Sequence, residues 1–193
     1  MKRMITLICT CMFLCLFTAG CGVKPVETEN AGSDNSAVSQ VLPYRFADRE
    51  EGMELLMSNR AYYDGFSDNE LAFKAQSLTA TMDEYKAFAK EQVREFTDEE
   101  KAFVDEYMAG IEKKITDNGF QLPPLDEIVF ICTTMDEEDG AAAYTHGTQI
   151  YFGKKVIDKY LAAGVYNPHV EFLLAHEVFH CLTRCNPDFR ADM

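Results

Sequence analysis

Near one end of this 193-residue chain stand His176-Glu177-Val178-Phe179-His180, and that spacing constrains the fold more than any other feature of the sequence. Residues four apart lie above one another on one face of an α-helix, so two imidazoles placed this way reach a single Zn²⁺ ion only if the segment is helical. The carboxylate of Glu177 then lies beside the metal and its bound water, where it serves as general base. The flanks sharpen the signal: Leu173-Leu174-Ala175 precede the motif and Cys181-Leu182 follow it, leaving Glu177 the only charged residue between Phe172 and Thr183. A carboxylate in so apolar a stretch is costly to bury without a partner, and a metal-bound water is such a partner. The bland alternative is an amphipathic helix with two surface or core histidines; such a helix carries charges on its outer face, and this one has almost none.

The first twenty-one residues concern export. Lys2 and Arg3 precede an apolar run from Met4 to Ala19 and then Gly20-Cys21, the basic, apolar and small-residue zones of a secretory signal. At about 16 residues the run is short for a membrane-spanning helix. Thr18-Ala19-Gly20-Cys21 resembles the lipobox of bacterial lipoproteins, with Thr18 where Leu is commonest. We therefore expect a signal peptide over 1–20, a lipidated Cys21, and an extracytoplasmic chain anchored to the bacterial cell membrane through that lipid. An uncleaved anchor and an ordinary signal peptide are the alternatives.

Without Lys2 and Arg3 the 18 basic residues fall to 16 against 32 acidic ones, a formal charge of −16. That balance argues against nucleic acid as a partner and against direct adhesion to an anionic membrane surface. From Gly22 to about Gln40 the chain is rich in Ser, Asn, Glu and Gly, a composition that reads as a flexible tether. We assign the tether to 21–43 and a single folded domain to 44–193.

Of seven cysteines, Cys132, Cys181 and Cys185 fall in that domain. Cys181 and Cys185 are too far apart for an easy disulfide within regular helix. All three read as apolar fillers, with a bridge from Cys132 to one of the others as an alternative.

The domain reads as α+β, helical in its first half and mixed in its second. Ser67-Asp68-Asn69-Glu70, Thr81-Met82-Asp83-Glu84 and Thr97-Asp98-Glu99-Glu100 are capping-box patterns that open apolar stripes. One stripe runs through Tyr85, Phe88, Ala89, Val93 and Phe96, the next through Val104, Met108, Ile111 and Ile115, and Asn118-Gly119 closes the last helix. Glu127–Thr133 and Thr148–Phe152 read as strands. Asp136-Glu137-Glu138-Asp139-Gly140 between them reads as a solvated acidic turn, since it lacks the spacing of a helical calcium loop. A short helix is expected from Lys154 to Leu161. Asn167-Pro168 then supplies a cap and a first-turn proline for the motif helix.

Leu174 to Pro187, reading Leu-Ala-His-Glu-Val-Phe-His-Cys-Leu-Thr-Arg-Cys-Asn-Pro, and Ala143 to Tyr151 upstream are together similar to a group of uncharacterised bacterial zincin-like metallopeptidase lipoproteins, over about Tyr44 to the chain end. The similarity implies a small sheet with a strand lining the cleft, followed by the active-site helix. Carried over by position, it gives His176 and His180 as zinc ligands and Glu177 as base. A catalytic zinc usually has three protein ligands and one water. Thr183 and Asn186 stand where metzincins have glycine and histidine, which excludes that class. Asp188, Asp192 and a residue beyond Met193 are the remaining sources, and the last of these goes with a chain truncated at its C-terminus.

The expected activity is zinc-dependent hydrolysis of a peptide or protein substrate, with Glu177 activating the metal's water. A non-catalytic zincin-fold binding module on the cell surface and an inactive fragment of a longer metallopeptidase are the competing readings. Tyr144, His146 and Tyr151 are candidates to stabilise the oxyanion, against plainer roles in packing or turns. His169 reads as a polar residue at the helix start.

Overall fold

The strand Ile128–Thr133 (β3) organises the domain. Its run of branched and aromatic side chains is buried on both faces, the pattern of a strand with helices packed above and below. The computed structural model describes residues 42–191; Cys21, the signal-like segment before it, the tether up to residue 41 and Asp192 lie outside the described residues.

Around β3 the sheet is mixed. The strands Tyr44–Phe46 (β1) and Gln149–Gly153 (β5) run parallel to it, and Ala143–His146 (β4) pairs antiparallel with β5 at the far edge, giving the order β1-β3-β5-β4. A two-residue strand, Val93–Arg94 (β2), pairs antiparallel with Cys132 and Thr133, so β1 and β2 flank opposite ends of β3. β4 and β5 are joined by the two-residue turn Gly147-Thr148, with Gly147 at φ 58°, the left-handed backbone such tight hairpins require.

The pleat divides the strand side chains between two cores. Ile128, Phe130, Cys132, Ile150 and Phe152 face one way and pack against the helices Asp98–Asp117 (α5), Lys154–Ala163 (α6) and Pro168–Cys185 (α7). Val129, Ile131 and Tyr151 face the other way, onto Arg49–Ser58 (α1), Arg60–Asp64 (α2) and Met82–Gln92 (α4). Asp68–Lys74 (α3) and Pro187–Ala191 (α8) complete the helices. The structure is thus α+β, with helices on both faces of a small mixed sheet. Among the described residues no helix is long and apolar enough to cross a membrane.

The expected caps form: Ser67, Thr81 and Thr97 each accept a hydrogen bond from the backbone three residues on, and the reciprocal bond is present at Thr81 and Thr97. Four expectations are corrected. The acidic segment after β3 is not wholly solvated: Asp136–Glu138 forms one 3-10 turn that directs Glu137 into the core, 1% exposed. The first half is not purely helical, because β1 and β2 come from it. The stripe Tyr85 to Phe96 does not stay on one helix: α4 ends at Gln92, Val93 enters β2, and Phe96 crosses into the other core. Val93 lies four residues after Ala89, a spacing that suits a helix face, and its backbone instead completes the ladder with Thr133. Finally, all three cysteines are free, but Cys185 is exposed and fills no core.

Candidate metal centre

The motif helix begins where the sequence places it. Asn167 accepts a hydrogen bond from the His169 amide at 2.9 Å, Pro168 takes the first helical position, and Val170, Leu174, Val178, Cys181 and Leu182 face the core. Anchoring that face leaves His176 and His180 half-buried one turn apart, with their rings 4.4 Å apart and nearly perpendicular. Their Nε2 atoms converge to 3.0 Å. Two nitrogens bound tetrahedrally to one zinc at 2.0–2.1 Å would stand about 3.3 Å apart, so the donor pair fits such an ion with a shift of a few tenths of an ångström. Burial, reinforced by the nearby His176 and the positive charge of Arg184, lowers the His180 pKa to about 4. At neutral pH the ring is therefore uncharged and its lone pair is available to a metal.

Glu177, one residue along, turns inward and is 4% exposed. Its Oε2 accepts a hydrogen bond from Thr145 Oγ1 at 2.5 Å. The same core holds two other buried carboxylates for comparison, and each has a lysine: Glu100 pairs with Lys154 at 2.5 Å, and Glu171 pairs with Lys114. Among the described residues Glu177 makes no ion pair. A buried carboxylate without a counter-ion costs free energy; Glu137, in the opposite core, is buried without an ion pair among the described residues as well.

The alternation along β4 explains which of its side chains reach the motif helix. Thr145 points to α7, while Tyr144 packs into the opposite core and stacks on Tyr151 at 4.5 Å. His146 rests against Tyr62 at 4.3 Å, on the same side as Tyr144. Tyr144, His146 and Tyr151 are therefore not brought to Glu177; the oxyanion role for which the sequence makes them candidates lacks a geometric basis, and they pack against neighbouring rings instead. His169 is exposed at the helix start, as expected. Two residues escaped the sequence reading. Thr145 faces the helix because a strand places neighbours of Tyr144 and His146 on the opposite side. Arg184, four residues past His180 and so on the histidine face, donates from Nη1 to the Thr145 carbonyl.

Comparison with family models, curated proteins and solved structures finds no match for this chain. Among the described residues no three His, Cys, Asp or Glu side chains form a metal-binding group. Asp188, on α8, is exposed and does not join the two histidines. Asp192, the other aspartate expected as a ligand, lies outside the described residues.

Proposed function

We propose that this chain is a zinc-dependent metallopeptidase of the zincin type, secreted and anchored to the cell membrane through a lipid on Cys21. The observation that carries the reading is the convergence of the His176 and His180 Nε2 atoms to 3.0 Å, with the buried carboxylate of Glu177, which makes no ion pair among the described residues, adjacent in sequence. His176 and His180 would hold the zinc. When bound, the ion supplies Lewis acidity that polarises a peptide carbonyl and acidifies water.

Glu177 performs the proton chemistry. Its carboxylate accepts a proton from the attacking water and returns it to the departing amine, which leaves as a neutral group instead of an unstable amide anion. Burial of the Glu177 side chain, 4% exposed, strengthens each electrostatic interaction at the carboxylate. The N-terminal basic, apolar and Ala-Gly-Cys zones support the extracytoplasmic location, and the acidic balance of the chain speaks against a nucleic-acid substrate.

Two measurements test the reading. Zinc content by elemental analysis should be stoichiometric in the wild type and lost in His176→Ala. Cleavage of a randomised mixture of quenched-fluorescent peptides should fall by about three orders of magnitude or more in Glu177→Gln, with zinc retained. A metal-free wild type after incubation with zinc sinks the proposal. Full zinc without cleavage favours the competing reading, a binding module with a zincin-like fold.

A further inference from the structure

We propose that Thr145 is a positioning residue for Glu177, dividing its two carboxylate oxygens between one that is held and one that works. The catalytic half of this inference rests on the metallopeptidase reading; the geometric half does not. Thr145 Oγ1 donates to Glu177 Oε2 at 2.5 Å, and both residues are 4% exposed. Glu177 Oε1 has no hydrogen bond among the described residues, yet it is absent from the buried atoms that lack a partner, Glu137 Oε2 and His146 Nε2. It is thus the oxygen that solvent reaches, and the one available to a proton.

Thr145 is suited to the task because it cannot easily move. Its β-branched side chain has few rotamers, and its backbone is registered opposite Ile150 in the β4–β5 ladder. Its carbonyl accepts from Arg184, which stands on α7 two turns after Glu177. One strand residue therefore fastens the motif helix at two points, by its hydroxyl and by its main chain. A carboxylate free to rotate presents either oxygen to a neighbour. With Oε2 held, Glu177 presents Oε1 alone, and the geometry for proton transfer is set before substrate arrives.

The test uses the full chain with its metal and without it. Thr145→Val keeps the side-chain volume and removes the donor; Thr145→Ser keeps the donor and loosens the rotamer. In zinc-loaded protein of unchanged metal content, Thr145→Val should lower kcat by 10–100-fold with little change in KM, the loss typical of a partner that orients a metal-site group. Thr145→Ser should recover most of it. In the metal-free protein the carbon-13 carboxyl resonance of Glu177, assigned by its disappearance in Glu177→Gln, should move in Thr145→Val and return in Thr145→Ser. A resonance unmoved in Thr145→Val overturns the proposal, whatever the activity. So does a kcat that falls equally in both variants. A resonance that moves while the wild type cleaves nothing instead overturns the peptidase reading, and with it the catalytic role of Thr145.

Discussion

The two faces of the sheet solve burial differently. Toward α5, α6 and α7 the strands send Ile128, Phe130, Cys132, Ile150 and Phe152, side chains that ask for no strong hydrogen bond. Buried charge on this face is matched to lysine at Glu100 and Glu171 and left unmatched at Glu177. The opposite face is tyrosine-rich, and its hydroxyls are spent on local acceptors: Tyr63 on the Leu56 carbonyl, Tyr85 on the Glu137 carbonyl, Tyr144 on the Glu137 carboxylate. There the buried carboxylate responds to its setting by titration, since burial outweighs its hydrogen bonds and raises the Glu137 pKa. The contrast teaches that one core spreads tyrosine hydroxyls among its acceptors, while the other holds ion-paired acids at Glu100 and Glu171 and, at Glu177, an acid with no ion pair among the described residues. The strand side chains of this second core form an apolar floor under the motif helix.

The strongest way to break this comparison is to remove the floor. Phe130 is fully buried and meets Tyr44 edge-on at 5.7 Å. Phe130→Ala should cost about 3–5 kcal/mol in urea denaturation, because the cavity adds to the lost transfer energy. It should also weaken zinc binding in titration, since Phe130 shares its core with Leu174 and Val178 of α7. Ile131→Ala, one residue on and facing the other core, should cost about 2–5 kcal/mol and leave zinc affinity nearly unchanged. Equal damage to zinc binding from both would show that the faces are not independent. Next in size is the metal itself. Zinc at 100 times its Kd should stabilise the native state by about 2.7 kcal/mol, reversibly on chelation. The gain should vanish in His176→Ala and survive in Tyr63→Phe.

The tyrosine face carries the next effect, and its sign follows from proton linkage. Burial, with the positive charges of Arg184 and Lys74, lowers the His146 pKa from 6.5 to about 4. As pH falls through 6.5 the unfolded chain takes up the proton and the native state does not, so stability drops between pH 6.5 and about 4. At pH 4 the contribution is about 3 kcal/mol. In chelator-treated protein His180, whose pKa burial also lowers to about 4, contributes over the same window, so His146→Phe should roughly halve the slope of that part of the pH–stability curve and leave the region above pH 7 unchanged. A curve of the same slope in both proteins would remove His146 from the account.

What the sequence shows of this molecule is what local chemistry dictates. Thr81 and Thr97 announce their helices because a capping hydroxyl needs only the next three residues, and β3 is legible because a strand buried on both faces is a continuous run of apolar side chains. The pair His176 and His180 is legible for the same reason, as both lie within one turn. The strands β1 and β2 are not, since three and two residues hold no period and their existence depends on an edge of β3 more than 30 residues away. Thr145 could be found only by knowing which face of β4 turns to α7, a fact of pairing rather than of composition. Cys185 shows the reverse error: helical spacing puts it one turn beyond Cys181, but the core ends between them, and the second thiol meets solvent.

The smallest effect expected is also the one that isolates local from tertiary terms. Thr81 caps α4 over the tyrosine face and Thr97 caps α5 over the site face, each accepting from the backbone amide of a glutamate three residues on, at 3.3 and 3.2 Å. Substitution of either by alanine should cost about 1 kcal/mol. The surroundings of the two glutamates differ sharply, for Glu84 is exposed while Glu100 is buried against Lys154. Yet Glu100 also accepts from the Thr97 backbone amide at 2.7 Å, a bond that alanine preserves, so the buried acid keeps its partners in Thr97→Ala. The two losses in thermal or urea denaturation should therefore agree within about 0.5 kcal/mol. If Thr97→Ala proves costlier by 2 kcal/mol or more, the cap is holding Glu100 and Lys154 in place, and the site face depends on its helix ends in a way the opposite face does not.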